Sequence, residues 1–251
     1  EGARVTALVH YNSRNSPGML RYLPKDIFAE IKVVFGDLLD EMLLEHLCRR
    51  KDIVFHLAAL VGIPYSYFSP ESYVYNNIVG SHNVFKSALR RNVGRVMFAS
   101  TAETYGTARY LPIDEKHPLQ CKSPYAASKV AAEKLAESFH IRFGLPVVIS
   151  RAFNTFGPRQ SQRAVIGTII TQALRSNIVR LGTFKPSRDF NYCTNLTDFW
   201  ITAAAKKGID GEVFNVGYGR DCSIAQIVSK VGTIFGKKLE PKLEKKRMRP
   251  L

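Results

Sequence analysis

The chain has 251 residues, 45% of them hydrophobic and 23% charged, values of an ordinary globular protein that exclude wholesale disorder. No apolar run nears the roughly 18 residues that span a bilayer, and no secretory apolar region opens the sequence, so neither membrane insertion nor export is expected. The net charge is +15, but without a nucleic-acid fold signature it reads as solvated or small-anion-attracting surface, not as a nucleic-acid interface.

In chain order, short apolar runs alternate with amphipathic stretches. Arg4–Val9 and Ile31–Phe35 predict strands, Asp40–Arg50 a helix, Asp52–His56 a strand and Ser72–Arg91 a long helix. Arg95–Ala99 predicts the next strand. Ser123–Arg142 predicts a helix, opened by Ser123 as N-cap with Pro124 at its first position. Pro146–Ser150 and Glu212–Val216 predict two more strands, and Val165–Ser176, Leu196–Lys207 and Ser223–Phe235 three more helices. Alternating strands and helices predict an α/β fold around a doubly wound parallel sheet. The order loosens after Phe156-Gly157-Pro158. We therefore expect a first domain over residues 1–156 and a smaller lobe over 157–251, with a segment near 189–205 returning to the first. The cysteines Cys48, Cys121, Cys193 and Cys222 are widely spaced, which predicts reduced thiols in a cytoplasmic protein and no metal site.

Tyr125 and Lys129 stand in a Y-x-x-x-K pattern on a predicted helix, so the two side chains project one turn apart on one face. An ammonium there favours phenolate and would bring the tyrosine toward the range of a general base. Spacing alone is a weak signal. Its setting is stronger, because Ser100-Thr101 ends a predicted strand, where open α/β sheets place ligands.

Ser100-Thr101-Ala102-Glu103-Thr104-Tyr105-Gly106 followed by Ser123 to Lys129 resembles the extended short-chain dehydrogenase/reductases. Further marks of that family fall in order: Gly36-Asp37-Leu38, His56 to Ala59, Asn77 to Gly80, Arg151 to Arg159, Arg188 to Tyr192 and Asn215 to Gly219. The resemblance covers essentially the whole chain and implies a Rossmann-like fold. The stretches Tyr11–Gly18, His56–Val74 and Thr107–Lys129 look most like 4,6-dehydratases acting on UDP- or GDP-N-acetylglucosamine in legionaminic-acid-type sugar synthesis.

That resemblance implies a nucleotide-sugar substrate and a nicotinamide cofactor held by Asp37, Leu38, Leu57, Ala58, Ala59, Asn77, Ser100, Tyr125 and Lys129. It implies Thr101, Glu103, Tyr125 and Lys129 as catalytic residues, with Glu103 taking the C5 proton, and Asn154, Arg188 and Arg249 as substrate contacts. An enzyme of the same scaffold that is a UDP-sugar 4-epimerase or UDP-glucuronate decarboxylase is the alternative, and a non-catalytic cofactor-binding protein the second.

Some residues depart from the family pattern. No glycine-rich turn of the dinucleotide-binding type is present, so we expect roughly 30 further residues, one βα unit, ahead of Glu1 and an unpaired gap in the sheet. Ala102 replaces the Asp or Ser of comparable dehydratases, and Asn195 replaces an Asp. The strand Arg4–Val9 leads into His10-Tyr11-Asn12-Ser13-Arg14 with no acid to select NAD, so NAD is expected with NADP left open. Apolar residues Val74, Ile78, Val84, Phe85 and Ala88 of one long helix and Val130, Ala131, Leu135 and Phe139 of the other predict a homodimer across a four-helix interface.

Overall fold

A computed structural model describes residues 2–244. Its strands are β1 (Thr6–His10), β2 (Lys32–Gly36), β3 (Ile53–His56), β4 (Arg95–Thr101), β5 (Val147–Ala152), β6 (Asn154–Phe156), β7 (Ile178–Leu181), β8 (Ser187–Tyr192), β9 (Val213–Val216), β10 (Asp221–Ser223) and β11 (Glu240–Leu243). The helices are α1 (Lys25–Ala29), α2 (Glu41–Leu47), α3 (Ile63–Ser66), α4 (Pro70–Tyr73), α5 (Gly80–Arg90), α6 (Pro124–Phe143), α7 (Val165–Arg175), α8 (Cys193–Ala205) and α9 (Ile224–Ile234). Among the described residues no helix is long and apolar enough to cross a membrane, and no cluster of metal-ligating side chains occurs.

The chain divides into two compact units, Glu1–Ser150 with Ala203–Phe214, and Arg151–Thr202 with Asn215–Leu251. In the first, β1 pairs in parallel with β2, while a separate sheet runs β3-β4-β5-β9 with β3 and β4 parallel. No pairing joins β1 to β3 among the described residues, which is the gap the strand pattern leads one to expect. Leu8 and Val54, one from each of those strands, pack on the same cluster of Leu38, Leu44 and Val84. The other faces are open, so Val5, Ile53 and Phe55, residue types of a buried parallel strand, are exposed.

The main core lies where α5 and α6 cover this sheet: Phe85, Ala88, Val96, Phe98, Ala132, Ala136, Val147 and Ile149 form one cluster. Of the residues expected at a dimer face, Val74 is exposed and Ile78, Val130, Ala131, Leu135 and Phe139 are half-buried. Val84, Phe85 and Ala88 are consumed inside the unit, and what α6 leaves exposed is Ile141 and Phe143 at its C-terminal end.

Local signals fix α6 at both ends. The Ser123 hydroxyl accepts from the Ala126 amide at 3.1 Å, and Gly144 ends the helix in a left-handed conformation at φ 71°. Arg95, at the start of β4, is buried and held through its Nε and Nη1. It donates to the carbonyls of Ala203, Ala204 and Lys206 and to Asp210 Oδ1 at 2.6–3.1 Å.

The second unit has its own core of Ile169, Ala173, Val179, Leu181, Ile224, Val228 and Val231. It contains strands that the periodicity missed. β6 and β8 are parallel, β8 and β10 antiparallel, and β7 pairs with β11. Of these, β6, β7, β10 and β11 have three or four residues, too few to show a period. α9 opens with a full capping box, Ser223 and Gln226 each serving the other's backbone.

Candidate active site

The predicted helix Ser72–Arg91 is not one α-helix. Between α4 and α5 the segment Val74–Val79 is a π-helix, and Asn77 sits in it fully buried. The Asn77 side chain acts as a backbone surrogate. Its Oδ1 accepts from the Leu60 amide at 2.8 Å, while its Nδ2 donates to the Leu60 carbonyl at 3.0 Å and to Ser128 Oγ at 2.9 Å. One asparagine thereby ties the loop after β3 to α6. The widened helical turn is what lets that side chain reach inward, and such single-turn widenings mark functional sites.

At the carboxyl end of β4 the Thr101 hydroxyl accepts from the Glu103 amide at 3.2 Å and starts a tight 3₁₀ turn, Ala102–Tyr105. Gly106 ends the turn at φ 66°, and a Cβ there would lie 2.2 Å from the Gln120 carbonyl, so only glycine lets the following loop fold back. His117 holds that loop. It is buried, its Nε2 accepts from the Arg109 amide at 2.9 Å, and its Nδ1 therefore carries the proton and donates to the Pro118 carbonyl at 3.0 Å. A loop histidine between a lysine and a proline gives no such signal in the sequence.

Tyr125, in the first turn of α6, is buried and hydrogen-bonded to the Thr101 side chain, with the ring of Tyr73 edge-on at 6.2 Å. Burial pushes the Tyr125 phenol up to about 12; the Thr101 hydrogen bond opposes this, and the nearby Glu103 carboxylate adds to it. The lowering expected from Lys129 is therefore not what the structure shows. Lys129 is only 2% exposed, its ammonium lies 4.3 Å from the centroid of the Phe98 ring, and burial draws it down to about 8 against the pull of Glu133. Beneath it Ser100 donates its hydroxyl to the buried Glu133 carboxylate. His56, also buried, bonds Ser81 Oγ through Nε2 at 2.8 Å and is held neutral, down to about 3, by burial and the Lys129 charge. The spacing of Glu133, four residues beyond Lys129, was the one available clue to its place in this layer.

The other expected residues are placed as follows. Asp37, at the end of β2, accepts from the Leu39 amide at 2.8 Å and pairs with His10 at 3.1 Å; Leu38 is in the core. Leu57 and Ala58 after β3 are exposed and Ala59 is half-buried. Asn154 and Arg188 belong to the second unit and are exposed. Asn154 stands opposite Phe190 on β8, two residues along from Arg188. Arg249 lies outside the described residues. Asp189, beside Arg188, was not singled out by the sequence, yet its carboxylate accepts from the Tyr218 and Gly219 amides at 2.8 and 2.7 Å. A Cβ on Gly217 would meet that carboxylate at 2.6 Å, which explains the first glycine of Asn215 to Gly219.

A buried tyrosine and lysine on one helix, a threonine and a glutamate at a strand's carboxyl end, and an asparagine in a π-turn make a recognisable constellation. The chain belongs to the NAD dependent epimerase/dehydratase family. The family's model matches residues 1–217. The chain is similar to the dTDP-D-glucose 4,6-dehydratase of Bos taurus, 32% identical over 204 residues, 80% of this chain and 57% of that protein. It therefore spans less than two thirds of that curated relative. Among solved structures, a UDP-N-acetylglucosamine 4-epimerase from Methanobrevibacter ruminantium M1 is 31% identical with a TM-score of 0.88, covering 98% of this chain and 78% of that one. A dTDP-glucose 4,6-dehydratase from Streptomyces venezuelae with NAD bound is 25% identical with a TM-score of 0.84, covering 98% of this chain and 77% of that one.

Proposed function

We propose that this chain carries the catalytic centre of a nucleotide-sugar 4,6-dehydratase. The observation that supports it most is the pairing of Tyr125 with Thr101 while the carboxylate of Glu103 lies close enough to act on that phenol. An interconversion at C4 needs only the first two groups. A base for the C5 proton is needed when water leaves across C5 and C6.

The carboxyl ends of β2, β3 and β4 fit a dinucleotide in their chemistry: apolar Leu57 and Val61 are exposed beside a backbone pinned by Asn77, and Lys129 provides a buried cation. Asn12 is engaged locally, exchanging hydrogen bonds with Ser16 at 3.0 Å, so ribose selection by this strand end is not its role. Asp37, Leu38, Leu57, Ala58, Ala59, Asn77, Ser100, Tyr125 and Lys129 are the residues that would hold NAD. NAD held there would supply the acceptor for the C4 hydride and the donor that gives it back at C6.

Tyr125 takes the proton of the 4-hydroxyl, with Thr101 bonded to the same oxygen. The resulting 4-ketone acidifies C5–H, and Glu103 removes that proton. Ala102 offers only a methyl, so the proton held by Glu103 departs with the 6-hydroxyl as water; the enone left behind would regain hydride at C6 and a solvent proton at C5. Arg188, Asn154 and Arg249 would bind the substrate diphosphate, since guanidinium forks match phosphate oxygens. Two copies would pair through α5 and α6, with Ile141 and Phe143 as the exposed apolar contacts. The setting would be the cytoplasm, where the four free thiols stay reduced.

Ala102 favours one second reading, a 4-epimerase. Incubation with NAD and a panel of UDP-, GDP- and dTDP-sugars in deuterated water separates the two. A dehydratase product has lost water and carries deuterium at C5, whereas an epimer of unchanged mass overturns the first reading.

A further inference from the structure

Two Arg-Arg pairs follow helix ends that pack against each other: Arg49-Arg50 after α2 and Arg90-Arg91 at the end of α5. They line one concavity of about 530 Å³ together with Asn92. These residues precede β3 and β4, so the concavity lies at the amino ends of the strands, away from the Thr101–Tyr125 pair at the carboxyl end.

Helix C-termini attract single cations, which accounts for one arginine per helix but not for four around a hollow. Arg90 and Arg91 are partly neutralised, Arg90 by Glu41 and Glu45 at 2.9 and 3.4 Å and Arg91 by Glu45 at 2.5 Å. What remains is a donor set with nothing to receive it. Arg49 and Arg50 make no side-chain hydrogen bond or ion pair among the described residues, and Arg91 Nε is buried without an acceptor. Two residues of the rim, Arg50 and Asn92, also hold left-handed backbones at φ 53° and 52°.

We propose that this concavity is a binding site for a multivalent phosphate anion, the chain of an inorganic or nucleoside triphosphate, separate from the nucleotide-sugar site. Two free guanidiniums, Arg49 and Arg50, supply forked donors for several phosphate oxygens, and the surplus of positive charge over Glu41 and Glu45 calls for an anion.

Titration calorimetry of the chain with inorganic triphosphate, without divalent metal, tests this. Because Arg188 is the proposed phosphate contact of the substrate site, three proteins are compared: the parent, Arg188→Ala and the double variant Arg49→Ala/Arg50→Ala. We expect Arg188→Ala to retain triphosphate binding and the double variant to weaken it by about tenfold or more, the loss of two charge-assisted contacts. Both arginines are exposed, so the double variant should melt at the parent temperature, and that measurement excludes unfolding as the cause. A nucleoside triphosphate that binds no tighter than the inorganic anion assigns recognition to the phosphate chain; tighter binding assigns the site to a nucleotide. A double variant that titrates like the parent, or triphosphate binding abolished by Arg188→Ala, overturns the proposal and leaves the dehydratase reading untouched.

Discussion

The Ser100 hydroxyl, at the carboxyl end of β4, donates to the carboxylate of Glu133 on α6, and both residues are buried. A carboxylate in that position needs its donors, because withdrawing one leaves charge without solvent to compensate. Ser100→Ala should therefore destabilise the chain by about 1–3 kcal/mol. Urea unfolding should show a lower midpoint at an unchanged slope, while an unshifted midpoint would mean that the pair contributes nothing.

Lys129 gives the stability a pH dependence of definite sign. Its folded pKa is lowered to about 8, so between there and its unfolded value the unfolded chain binds more protons and stability rises with pH. At neutral pH the buried ammonium is a cost of roughly 3 kcal/mol at most, offset in part by its seat over Phe98. Lys129→Met should thus raise the melting temperature at pH 7, and the advantage should shrink as pH approaches 10. A variant equally stable or less stable than the parent at pH 7 would show that the cation's contacts outweigh its desolvation.

Asn191 is fully buried on β8, and its Nδ2 has no acceptor, while its Oδ1 accepts from Asn195 Nδ2 at 2.9 Å. Two amides facing each other satisfy only one bond. Asn195 is exposed, so a carboxylate there keeps its hydration while accepting from the turned Asn191 amide. Asn195→Asp should stabilise by about 1 kcal/mol. Thermal melting at pH 7 and pH 3 checks it, since the gain should vanish once the new carboxyl is protonated.

Glu103→Gln keeps the shape of the side chain but accepts no proton at neutral pH. In the proposed mechanism, oxidation at C4 survives and water loss falls by about 10²–10⁴-fold, so absorbance of reduced cofactor at 340 nm builds up after substrate is added. Ala102→Asp should speed elimination if a second acid helps the 6-hydroxyl leave. Turnover of Glu103→Gln at the parent rate would favour the epimerase.

The sequence by itself determined the elements whose cause is local. Ser123-Pro124 and Gly144 bound α6 with no help from the rest of the chain, and the alternation of apolar runs with amphipathic stretches already implied the parallel sheet. It also held the motif residues in order, since Thr101, Glu103, Tyr125 and Lys129 follow a strand-loop-helix order. The tertiary structure decided what those residues experience. The Y-x-x-x-K spacing suggests an ammonium serving a phenol, but burial raises Tyr125 and lowers Lys129, and desolvation depends on neighbours such as Phe98 and Tyr73 that lie far away in the chain. The π-turn at Asn77 likewise carries a side chain bonded to Leu60, seventeen residues earlier, a contact no local pattern reports. The apolar stripe Val84, Phe85 and Ala88 reads the same whether it faces a sheet or a second copy. Periodicity reports that a face is buried, and only packing says against what.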